Sequence, residues 1–128
     1  MYRKVGDEFI ADDFAHEQSI VFETEKGLVI FNSCSHGGIA NIVREVQNAF
    51  AGKKIYAVIG GFHMMKLSGL DTLGIPVDEV VKVARELKEL GVEKVYTGHC
   101  TGMIAFEIMK RELGNMVHAL NTGCRIEI

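Results

Sequence analysis

The feature that most constrains the fold is a recurrence. Three apolar, strand-like runs each end in a turn rich in glycine or serine, and each turn carries a histidine. The turns are Asn32-Ser33-Cys34-Ser35-His36-Gly37-Gly38, Gly60-Gly61-Phe62-His63 and Gly98-His99-Cys100-Thr101-Gly102. Two of them run straight into a helical pattern, and the third opens a long glycine-containing loop over residues 60–76. Ile39, Ile42, Val43, Val46 and Phe50 recur at helical spacing over residues 39–50, closed by Gly52. Val80, Val81, Ala84, Leu87 and Leu90 do so over residues 77–90, with Pro76 suited to the start and Gly91 to the stop. Strands alternating with helices of this length pack as βα units on one sheet, so the fold class is α/β.

The remaining segments fit around that frame. The run EQSIVFET over residues 17–24 alternates as a strand, and Glu25-Lys26-Gly27 turns it back into GLVIFNS as an antiparallel hairpin. KIYAVIG and EKVYTG read as further strands, and a helix over residues 101–113 is closed by Gly114. MVHAL and CRIEI read as two last short strands about the turn Asn121-Thr122-Gly123. Residues 2–14 are irregular and acidic, with weak strand character. No linker, repeat or charge block divides the 128 residues, about one domain's worth.

Charge narrows the partners. The formal net charge of −3, from 14 Lys and Arg against 17 Asp and Glu, provides no basic face for nucleic acid. No apolar run approaches the roughly 20 residues of a membrane span, and Met1-Tyr2-Arg3-Lys4 leads into acidic sequence unlike a signal peptide. Three cysteines, Cys34, Cys100 and Cys124, are an odd count that suits reduced thiols in the cytoplasm.

The carboxyl ends of parallel strands form the crevice where ligands bind in sheets of this kind. If the three strands are parallel neighbours, His36, His63 and His99 converge on one edge, and the glycines let backbone approach a ligand there. Two chemistries can use such an edge. One is a divalent transition-metal site, with neutral imidazoles and the thiolates Cys34 and Cys100 as ligands or neighbours, activating water for hydrolysis. The other is covalent: Gly98-His99-Cys100-Thr101-Gly102 fits a G-x-C-x-G elbow at a strand-to-helix turn, with Cys100 as nucleophile and His36 or His63 as base. The elbow lacks a clear triad, so the metal is the preferred reading. A non-catalytic metal-binding or structural dimer is the third. His118, inside the apolar run MVHAL, reads as structural, and His16 stays open.

The hairpin EQSIVFETEKGLVIFNSCSHGGIANIV, then VIGGFH, then VYTGHCTG, together resemble the second half of the metallo-β-lactamase superfamily, over about residues 12–123. The branch they resemble is the one of dihydropterin-ribofuranosylaminobenzene-phosphate-synthase-like metal-dependent hydrolases. The resemblance implies half of an αββα sandwich, a mixed sheet with flanking helices, residues 1–128 forming one partial, C-terminal half-domain. It implies His36 and His99 as metal ligands, His63 in the same pocket, and Cys34 near the place of the family's bridging aspartate. His16 falls where many members carry a ligand histidine. The ion implied is zinc first, with iron or manganese as alternatives, and the substrate a small anionic phosphate or ester. The superfamily's His-x-His-x-Asp-His signature belongs to the first half of the fold and does not occur in this sequence. The expected partner is therefore a complementary N-terminal half or a second copy, since a half-sandwich leaves one apolar sheet face open.

Overall fold

The computed structural model describes residues 1–67 and 70–128. Its centre is a five-stranded sheet. Strands β3 (Ser19–Thr24) and β4 (Gly27–Asn32) form the expected antiparallel hairpin, with Ser19 opposite Asn32. Parallel to β4 lies β5 (Ile55–Gly60), then β8 (Lys94–Thr97), then β9 (Val117–Ala119), giving the order β3-β4-β5-β8-β9. The three strands that precede the histidine turns are thus parallel neighbours. Helices α1 (Ile39–Ala49), α2 (Val77–Glu89) and α3 (Met103–Leu113) supply the crossovers.

All three helices cover one face of the sheet. Leu28 and Ile30 of β4, Val58 of β5, Val95 of β8 and Val117 of β9 meet Val43 of α1, Val80, Ala84 and Leu87 of α2, and Met109 of α3 in a single core. Each fully buried side chain of this size stabilises the fold by about 1.5–3 kcal/mol relative to exposure. The opposite face is thinly covered. Val29, Ala57 and Ile59 are buried there under Tyr56, Tyr96, Leu120 and Ile126. Toward β3 the cover ends, and Ile20 is 62% and Phe22 55% exposed, with Phe22 edge-to-face on Phe31 at 5.6 Å. Ile20 pairs with Phe31 and Phe22 with Val29, so one pleat face carries all four apolar residues.

Three segments depart from the sequence reading. Residues expected to be irregular at the start form a hairpin, β1 (Tyr2–Val5) with β2 (Glu8–Ala11), exposed throughout. It escapes hydrophobic patterning because neither of its faces is buried. The long loop after β5 contains a second small hairpin, β6 (Met65–Leu67) and β7 (Leu70–Leu73), with a register shift between Met65 and Leu67. CRIEI is not a strand: Ile126 packs on the open face without joining the ladder, and Arg125 pairs with Glu127 at 3.1 Å. No helix among the described residues is long and apolar enough to cross a membrane.

Candidate metal centre

The strand ends are drawn together by two glycines. A Cβ on Gly60 would lie 2.1 Å from the Asn32 carbonyl oxygen, and one on Gly61 would lie 2.7 Å from Cys100 Sγ. Only a residue without a side chain lets β5 finish this close to β4 and to the turn after β8.

Buried polar groups then stitch the three turns to one another. Asn32 Oδ1 accepts from the Ser35 N–H at 2.7 Å, and Ser35 Oγ lies 2.7 Å from that oxygen and 2.8 Å from the Gly61 carbonyl. Thr97 Oγ1 donates to the Gly60 carbonyl at 2.8 Å. Its single proton is thereby used, so Thr101 Oγ1 donates to Thr97 across 2.6 Å while accepting the Phe62 N–H at 2.9 Å. Every hydroxyl in this fully buried chain has a partner, which makes the edge rigid.

On that support stand residues in an uncommon backbone state. Ser35, His63 and His99 have φ values of 50°, 51° and 51°, three of the four non-glycine residues with positive φ among those described. A left-handed residue with a side chain costs about 1–2 kcal/mol, and such strain concentrates where side chains must be aimed.

The side chains at this edge converge. Cys34, His99 and Cys100 offer ligand atoms that all lie within 4.8 Å of one another, Cys34 and Cys100 half-buried and His99 exposed. The His63 N–H donates to Cys100 Sγ at 3.3 Å, and the His63 ring meets the His36 ring at 4.4 Å, edge to face. The five residues singled out from the sequence therefore occupy one edge, as a thiol–imidazole trio beside a pair of imidazoles. His16 stands outside, exposed, next to Phe14, which in turn stacks on His36. His118 lies on the open sheet face, stacked on Tyr96 at 5.0 Å, with its Nε2 buried and unpaired.

Sequence reasoning passed over Glu17. Its carboxylate accepts the His36 N–H at 2.6 Å and the Gly37 N–H at 2.9 Å, and approaches His36 Nδ1 at 3.6 Å. It thus fills the backbone donors before α1 that an anionic ligand could have used. The only sequence signal was an acid placed just before a strand. Replacing Glu17 by alanine is expected to cost about 2 kcal/mol, the loss of charge-assisted hydrogen bonds from a largely buried carboxylate. A urea unfolding midpoint reads this directly, and an unchanged midpoint would contradict it.

Electrostatics separate the groups further. Burial, and then the charge of His36, lower the pKa of His63 below its ordinary 6.5, so the imidazole is neutral at pH 7. The Cys100 thiol is pushed up to about 11, by burial first and by its neighbour Cys34, against the opposing His63 N–H. A thiol so protonated is a poor nucleophile. A coordinated cation reverses that balance, because it deprotonates the thiol outright. Two thiols, an imidazole and two neighbouring histidines form a donor set suited to a soft or borderline divalent ion, and the residues fit such a group.

Beside His99 opens a cleft of about 330 Å³, lined by Met65, Thr97, Gly98, His99, Met103 and Phe106 among others. Its walls are mostly apolar, and it meets the trio at His99.

No protein-family model matches the chain. It is 33% identical over 123 residues to the 7,8-dihydropterin-6-methyl-4-(β-D-ribofuranosyl)-aminobenzene-5'-phosphate synthase of Methanocaldococcus jannaschii, spanning 96% of this chain and 39% of that protein. In three dimensions it superposes on Tm1679, a metal-dependent hydrolase of the β-lactamase superfamily, with a TM-score of 0.82 and 36% identity. That match covers 99% of this chain and 46% of the other. The chain thus spans less than half the length of either relative.

Proposed function

The chain is a relative of the metal-dependent hydrolases of the metallo-β-lactamase superfamily, matching part of their length, and from that premise we propose that it supplies part of a hydrolytic metal site. The observation that carries this reading is the meeting of Cys34, His99 and Cys100 within 4.8 Å at the ends of parallel strands. These three would hold the ion, zinc by the preference of mixed sulfur and nitrogen donors, with iron or manganese as alternatives. When bound, the metal acts as a Lewis acid and allows water to attack near neutral pH.

The other residues serve around it. His63 and His36 stand beside the trio, and the neutral His63 imidazole is able to take a proton at its free ring nitrogen. Met103 and Phe106 offer an apolar wall to one part of a substrate. The scissile group in this reading is a phosphate or ester. The protonated state of Cys100 favours this role over that of a nucleophile. Three free thiols fit a reducing compartment such as the cytoplasm.

Dialysis against zinc followed by elemental analysis is expected to leave metal on the chain, removable by a chelator. A chain that stays metal-free would overturn the reading. Hydrolysis of simple phosphate and carboxylate esters by the chain alone is expected to be slight. Activity that survives the chelator and disappears on alkylation of Cys100 would favour the nucleophile instead.

The exposed Ile20, Phe22 and Phe31 fit a covering partner, either a complementary half or a second copy. Light scattering is therefore expected to give a mass above the 14.1 kDa of one chain, falling toward it in Phe22→Ser. A parent chain monomeric at every concentration would contradict self-association.

A further inference from the structure

Cys34 and Cys100 come from strands that are not neighbours. Cys34 follows β4 and Cys100 follows β8, with β5 between them in the sheet. Their sulfurs nonetheless lie within 4.8 Å, and Cys100 Sγ sits 3.8 Å from the Cys34 carbonyl oxygen. The contact has room because Gly61, the residue after β5, has no side chain in the space that Cys100 Sγ occupies. Both residues are half-buried, Cys34 in the bend after β4 and Cys100 in the single 3-10 turn His99–Thr101, and the third cysteine, Cys124, is exposed and outside the cluster.

We propose that Cys34 and Cys100 are a disulfide-forming pair, and that closing the bond removes two of the three donors at the strand ends. A disulfide needs its sulfurs about 2 Å apart, so closing the bond requires the two side chains to move together from a separation within 4.8 Å. The oxidant is a small-molecule disulfide. Cys34 attacks it first, loses its proton to solvent and releases one small thiol. Cys100 then attacks the mixed disulfide on Cys34, losing its proton to solvent and releasing the other small thiol. Its raised pKa makes this the slower step. Two protein S–H bonds and one small-molecule S–S bond are lost, and one protein S–S bond and two small thiols are formed. A dithiol reductant runs the exchange backwards.

The pairing stands on geometry alone, while its effect on the donor set rests on the metal reading above. The test is oxidised glutathione added to the reduced, chelator-treated chain, followed by thiol titration and peptide mass mapping. Accessible thiols are expected to fall from the three of the sequence to one, with the Cys34 and Cys100 peptides linked, and to return to three with dithiothreitol. Three surviving thiols, links to Cys124, or stable glutathione adducts on both cysteines would overturn the pairing. Zinc added before the oxidant is expected to suppress the link. A link that forms equally fast with zinc present would remove the connection to the metal while leaving the disulfide in place.

Discussion

Replacing His99 by glycine is expected to leave the fold as stable as the parent, or up to about 1 kcal/mol more stable, while weakening zinc binding about 100-fold. The two effects have opposite signs because they come from different parts of the residue. The backbone of His99 is left-handed at φ 51°, a state that glycine adopts without steric cost. The greater freedom of glycine in the unfolded chain offsets part of that gain. The imidazole is exposed, so its removal opens no cavity. What disappears is one of three clustered donors. Urea unfolding paired with a competition titration against a zinc-sensitive dye measures both quantities on one preparation. A destabilised variant with parent-like zinc affinity would mean that His99 is a packing residue and that the strain has no functional purpose.

Gly60→Ala is expected to have the largest effect on stability. Its Cβ would lie 2.1 Å from the Asn32 carbonyl oxygen, and φ is 157°, a conformation L side chains rarely adopt. The obstacle is backbone on a central strand, so no side chain can swing aside. Overpacking and local strain together amount to about 4 kcal/mol, a large share of the 5–15 kcal/mol that keeps a typical domain folded. The damage is also local to the site, because Thr97 donates to the Gly60 carbonyl and Ser35 reaches the Gly61 carbonyl next to it. A thermal melt close to the parent's would show that β4 and β5 can separate at this end without loss.

Much of the fold is legible because its signals are local and strong. α1 and α2 bury one stripe each, and β5, pressed between β4 and β8, is apolar along almost its whole length. The parallel order follows from the helices between the strands, and that order puts His36, His63 and His99 at the same edge of the sheet. Other features have no such signature. β1 and β2 bury nothing, so no periodicity marks them. CRIEI alternates like a strand, yet alternation cannot say whether a neighbour is free to pair. The left-handed φ of His63 and His99 is imposed by the packed turns, not by residue type. The trio of Cys34, His99 and Cys100 depends on Gly61 being empty of side chain, a relation between residues far apart in sequence. The strand-end histidines and the thiols Cys34 and Cys100 are therefore legible as one group of donors, whereas its division into a Cys34–His99–Cys100 trio and a His36–His63 pair is not.

Cobalt titration tests the central claim most directly, since thiolate coordination gives sulfur-to-cobalt charge-transfer absorption that imidazole or carboxylate sites lack. The reduced chain is expected to develop that absorption, which should weaken in Cys34→Ser and in Cys100→Ser and vanish in the double variant. A chain that binds cobalt without the sulfur band, or a double variant that keeps it, would contradict a metal centre built on Cys34, His99 and Cys100.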